Sequence, residues 1–233
     1  MYTKVFSSAL IAGGAAGLLA GLLQLLFVQP VLLHAELYEA GTLVHFGADS
    51  MASTHQELPA LEFGRDGLSI LFSMLVYCGY ALVLVAAMAL SEMRGAVLNG
   101  RTGILWGIAG YACFQLLPAF SLAPEVPGVA AADVYDRQVW WAVTVIGSAV
   151  ALWLIAFSHN WLSWGVAALM LLAPHLYGAP EPDYFFGPVP PELSALFAAR
   201  SLGTGFIVWS VLGCIGGAIW HRSASSETQQ VTA

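Results

Sequence analysis

The stretch that decides the fold is Val5–Gly41, "VFSSALIAGGAAGLLAGLLQLLFVQPVLLHAELYEAG". No charged side chain interrupts it between Val5 and Pro30. A helix that crosses the ~30 Å hydrocarbon core of a bilayer needs about 20 apolar residues, and Val5–Val28 supplies them. The apolar core of a secretion signal is only about 7–15 residues long, so this run reads as a retained first span. Immediately beyond Pro30 come His34, Glu36 and Glu39. These are either the polar end of a helix meeting water or the start of a binding site. If the segment is extended, His34, Glu36 and Tyr38 share a face. If it is helical, Glu36 and Glu39 share one and His34 points elsewhere.

The rest of the chain has the same character. Of its 233 residues 59% are hydrophobic and 9% charged, with a mean hydropathy of +0.77. A soluble domain carries about 25% charged residues, and so few charges cannot coat a surface in water. Further apolar runs lie at Leu68–Leu90, Gly103–Phe120, Val139–Phe157 and Leu202–Trp220. A shorter one, Trp161–Ala173, extends past Pro174 to Tyr177. The expected fold is all-α, a polytopic membrane bundle of about six spans; five spans plus a re-entrant segment is the alternative. Residues 1–222 form one transmembrane domain and residues 223–233 a short polar tail. Lys4, Arg94, Arg101 and Arg222 fall on one side of the six spans, Arg65, Arg137 and Arg200 on the other. By the excess of Lys and Arg in cytoplasmic loops, both termini are expected in the cytoplasm.

The acids are distributed far less evenly. Of the 14 Asp and Glu, only Glu92 and Glu227 are on the cytoplasmic side in this topology. A negative outer face raises the local concentration of cations. Spans one, three and five also end alike, in "QLLFVQP", "FQLLPAF" and "LMLLAPH", with Pro30, Pro118 and Pro174. An acid follows each proline (Glu36, Glu125, Glu181), and an arginine closes each outer loop (Arg65, Arg137, Arg200). The pattern predicts three parallel helical hairpins, a way of building transporters around an axis. Gly13, Gly17 and Gly21 are four apart, and Gly103, Gly107 and Gly110 nearly so. Such faces let helix backbones approach closely, either within this chain or in an oligomer with itself or a different protein.

Several functions are argued against. No Asp, Glu, Lys, Arg or His lies near the middle of a span, where proton relays and ion paths usually place them. An intramembrane hydrolase needs a nucleophile–base pair or metal ligands at depth. No HExxH, GxGxxG or Walker sequence occurs, so no enzyme is read here. The seven Lys and Arg never cluster, which removes nucleic acid as a partner. Cys78, Cys113 and Cys214 lie far apart in apolar runs as small buried hydrophobes. At depth the polar groups are few, chiefly Gln24, Gln115 and Thr144, which are expected to hydrogen-bond between helices. The chemistry concentrates at the outer mouth, with His34, His45, His55 and His175 among the acids. His45 and Asp49 are one helical turn apart. Imidazole and carboxylate together suit borderline divalent ions such as Co²⁺, Ni²⁺ and Zn²⁺. The candidate metal-handling residues are therefore His34, Glu36, Glu39, His45 and His175, for a divalent ion of that class in transit, with no resident cofactor read from the sequence. Trp140, Trp141, Trp161, Trp164 and Trp220 read as the aromatic belt at the membrane interfaces.

The "P…AE.YE" stretch after the first span, "GILWGIAGYACFQLLPAFSLAPEVPG" followed by "DRQVWW", and a proline-rich last loop followed by "RSLGT" resemble the CbtA family of cobalt transporter subunits. The resemblance covers roughly residues 5–220. Its matching positions are Pro30, Glu36, Tyr38 and Glu39, then Gln115, Pro118, Pro124, Glu125, Pro127 and Gly128, then Arg137, Gln138 and Trp140. It implies a membrane subunit for divalent-metal uptake, with cobalt as the ion, in the bacterial inner membrane. It also implies a small one-span partner with a histidine-rich end, CbtB. The competing reading is a structural or assembly component of a larger membrane complex without transport activity.

Overall fold

The structure is a computed structural model that describes residues 2–45 and 60–232. Asp49, His55 and Glu57 lie outside the described residues. Helix α1 (Tyr2–Leu23) passes through a π-helical segment, Gln24–Val28, into α2 (Gln29–Glu39). Then come α3 (Phe63–Glu92) and α4 (Gly100–Tyr111), which passes through a second π-helical segment, Ala112–Leu116, into α5 (Leu117–Ser121). Helices α6 (Val134–Phe157), α7 (Trp161–Tyr177) and α8 (Pro191–Thr232) complete the chain. Five of the described helices are long and apolar enough to cross a membrane, and α7 is a shorter apolar one. At 17 residues α7 is roughly 25 Å long. The expected bundle of about six spans is borne out. The helices overrun the apolar runs, however: α8 starts at Pro191 rather than Leu202, because hydropathy marks membrane depth and not where a helix begins.

The two π-helical segments share one cause. Proline has no N–H to donate, and its ring crowds the carbonyl of residue i−4. Each segment ends two residues before its proline, Pro30 or Pro118. A carbonyl within each segment accepts from a side chain: Phe27 O from Arg200 Nη1 at 3.0 Å, and Phe114 O, four residues before Pro118, from Trp141 Nε1 at 3.3 Å. The first two copies of the sequence repeat thus share a backbone irregularity at the same register, whereas Pro174 lies inside regular helix.

The chain divides into two compact units. The first holds residues 1–25, 61–111 and 204–233. In it α1 and α3 run antiparallel with their backbones nearly touching. A Cβ on Gly13 would lie 2.5 Å from Cys78 Cα and one on Gly21 2.9 Å from Ile70 Cα, while Gly17 faces Met74 between them. Gly103, Gly107 and Gly110 of α4 meet α8 in the same way, at Gly213, Trp209 O and the Trp209 ring. Both small-residue faces are therefore used within the chain. Gln24 Oε1 accepts from Ser73 Oγ at 3.1 Å, the interhelical bond expected of it. At one end of this unit Trp220 is 2% exposed, donates to Glu92 Oε2 at 3.0 Å and lies 4.6 Å beneath Lys4 Nζ. Trp220 is thus a packed hydrogen-bonding residue and not a belt anchor, and Trp140 is buried as well. Trp161, by contrast, is 80% exposed.

The second unit holds residues 26–60 and 112–203, and its packing positions the site.

Candidate functional site

Helix α2 decides between the two geometries left open after Pro30. Proline with φ near −65° suits the first turn of a helix, and Pro30 sits there. The segment is helical to Glu39, and Ala40 N–H closes it on Glu36 O at 2.8 Å. Residues three and four apart then share faces. Val31, Ala35 and Tyr38 are buried, while Glu36 and Glu39 are exposed together. His34 turns with Tyr38, the two ring centroids 5.6 Å apart.

The buried face of α2 gathers the other two acid-bearing segments around it. Ala35 and Tyr38 form a core with Val126 and Val189, packed by Leu43, Leu193 and Phe197. Gly128, at φ +80°, brings its backbone against the Glu39 side chain; a Cβ there would lie 3.0 Å from Glu39 Cβ. Gly187 crosses Gly128 O as closely, and Ala130 N–H donates to Phe186 O at 2.8 Å. Glycine is required at both close approaches, and at Gly128 for its backbone angle too. The segments that follow Pro30, Pro118 and Pro174 thus pack together as one mouth, where the sequence repeat suggests three.

The candidate residues are distributed over this mouth as follows. Glu36 and Glu39 present carboxylates away from that core, from one helix face. Among the described residues His34 Nε2 is buried without a hydrogen-bond partner. His45 follows the end of α2 and is half-buried. His175, in the last turn of α7, is hydrogen-bonded through Nδ1 to Ser121 Oγ at 2.8 Å. Its ring meets Phe120 at 5.1 Å and Trp140 at 5.9 Å, both edge-on, and its Nε2 is buried without a partner. Gln115 Oε1 is a further buried acceptor without a partner. Among the described residues no three of His, Cys, Asp or Glu are arranged to hold a metal ion.

Glu125 and Arg137, matching positions of the family resemblance, form an ion pair at 2.6 Å with both side chains less than a third exposed. Arg65 pairs instead with its neighbour Asp66, at 2.9 Å. The equivalent arginines of the repeat therefore have unlike described partners, and the second ties its helix to its own acidic loop. Charge-assisted hydrogen bonds are the stronger kind, but a part-exposed pair is screened. Glu125→Gln is expected to cost about 1 kcal/mol of stability, read as a lowered melting temperature in detergent. An unchanged melting temperature would show that this pair does not brace the loop. The Ser121–His175 bond and the acceptors at Phe27 and Phe114 had no signal in the sequence beyond the recurring proline.

The chain belongs to the CbtA family: the family model described as "Probable cobalt transporter subunit (CbtA)" matches residues 3–221, nearly the whole length. It is a multi-pass membrane protein of a transporter-subunit family. No curated protein and no solved structure matches the chain.

Proposed function

We propose that this chain is the membrane subunit of a cobalt uptake system of the bacterial inner membrane, with both termini in the cytoplasm and the acidic mouth outside. The observation that carries the reading is the mouth itself. Three acid-bearing segments pack together and leave Glu36 and Glu39 facing outward. The imidazole nitrogens His34 Nε2 and His175 Nε2 lie in the same unit without hydrogen-bond partners. Carboxylates gather divalent cations by charge, and neutral imidazole is the borderline ligand that would retain Co²⁺ over Mg²⁺ or Ca²⁺. No described set of three ligands closes around an ion, so capture here is transient. A small partner with a histidine-rich end completes the coordination during transfer.

The test is radiocobalt accumulation at limiting supply, in cells lacking this chain and in cells complemented with it. Uptake is expected to fall without the chain and return with it. Normal accumulation in its absence, together with constant co-purification with a large membrane assembly, would replace this reading with that of an assembly component.

A further inference from the structure

Beside the mouth, a groove of about 870 Å³ runs between α6 and α7. Its α6 wall is the stripe Asp136, Val139, Val143 and Gly147, spaced so that all lie on one face. Across it stand Met170, Ala173 and Tyr177 of α7. Trp140 Nε1 donates to Pro174 O at 3.3 Å and pins the two helices together beside the groove. From Asp136 to Gly147 the groove is about 16 Å long at 1.5 Å per residue, half of a ~30 Å hydrocarbon core.

These dimensions select the occupant. A partner helix crossing the bilayer needs a seam along the full core, and this groove ends halfway. An acyl chain entering from the interface needs only half. The volume falls within the ~300–1,000 Å³ range of ligand sites. At the wet end the chemistry is one-sided. Asp133 spends its Oδ1 on the backbone N–H groups of Tyr135 and Asp136, capping α6. The Asp136 carboxylate carries none of the described hydrogen bonds or ion pairs and lines the groove, as do the exposed Tyr135 and Tyr177. A carboxylate attracts an ammonium by charge, and an aromatic face adds to that attraction. Among the described residues that line the groove there is no Lys or Arg, whereas sites for anionic lipid headgroups are basic.

We propose that the α6–α7 groove is a binding site for an aminophospholipid, its ammonium at Asp136 and an acyl chain along Val139, Val143 and Gly147. This does not rest on the cobalt reading. It is tested on full-length protein purified in mild detergent, exchanged into mixed micelles of dioleoyl phosphatidylethanolamine and dioleoyl phosphatidylglycerol, and weighed by native mass spectrometry. The protein is expected to retain the ethanolamine lipid at least five-fold over the glycerol lipid. Asp136→Asn, at an exposed position, is expected to abolish that preference with the protein still folded by circular dichroism. Val143→Trp, which fills the groove, is expected to reduce retention of both lipids. Equal retention by the wild type, or a preference that survives Asp136→Asn, overturns the proposal. So does a photo-crosslinker at Val143 that captures a polypeptide span from native membranes instead of lipid.

Discussion

Gly107→Leu is expected to leave almost no folded protein in the membrane. At this position α4 lies on α8 with nothing between their backbones: a Cβ on Gly107 would fall on the Trp209 carbonyl oxygen, inside any allowed contact. The obstacle is main chain, so no rotamer change relieves it. Nor can α8 retreat easily. Trp209 is 0% exposed and its ring is held 5.0 Å from Tyr80 and 6.3 Å from Tyr77. The same helix pair is in contact one turn earlier, where Gly103 meets Gly213, and Gly110 meets the Trp209 ring. Separating the helices to fit a leucine would strip all three contacts at once. Overpacking costs typically 1–3 kcal/mol when side chains can adjust; here two backbone contacts and one against the buried Trp209 ring are lost together, a sizeable part of the 5–15 kcal/mol that holds a fold. The measurement is the yield and monodispersity of a fluorescent fusion on size exclusion. Gly14→Ala is the control, because nothing lies within 4 Å of a Cβ there. A monodisperse Gly107→Leu protein at wild-type yield would mean that α4 and α8 do not pack this closely.

That contact also shows what could be read from the sequence and what could not. The spacing of Gly103, Gly107 and Gly110 announces a close helix contact, since only small residues permit one. It does not name the partner helix: Gly213 and Gly217 of α8 are four apart and meet α4, but Gly13, Gly17 and Gly21 of α1 offer the same spacing. Hydropathy located the spans for the same simple reason, each being a continuous apolar run. It placed their ends poorly, since α8 extends its helix well before the apolar run. The tryptophans illustrate a different limit. Composition near a span end predicts an interfacial belt, but Trp220 has a carboxylate partner in Glu92 that only the fold supplies. At the mouth, Pro30 was visible, but whether the chain after it was extended or helical was not. That choice decides whether His34 stands beside Glu36 or beside Tyr38, and it is settled by packing of Ala35 and Tyr38 on loops distant in sequence.

Because α2 is helical, its two exposed carboxylates act as a pair, and their joint removal is expected to have the largest effect on transport. Glu36 and Glu39 lie one turn apart on the exposed face. In bulk water two unit charges 4 Å apart interact by about 1 kcal/mol, so a divalent ion gains about 2 kcal/mol from each nearby carboxylate. Physiological salt, with a screening length of about 8 Å, removes part of this. A factor of ten corresponds to about 1.4 kcal/mol. Glu36→Gln with Glu39→Gln is therefore expected to lower radiocobalt uptake at limiting supply about tenfold, with each single change giving a few-fold loss. Glutamine keeps the shape of the side chain and both positions face outward, so the melting temperature is expected to stay unchanged. Charge-driven capture makes two further demands that a merely structural role would not. The loss must appear in the cobalt concentration for half-maximal uptake and not in the maximal rate. It must also shrink as ionic strength rises, since the wild type alone is screened. If the double variant takes up limiting cobalt like the wild type at equal expression, the exposed face of α2 does not gather the ion. The helix after Pro30 would then serve only to seat Ala35 and Tyr38 on the loops beneath it.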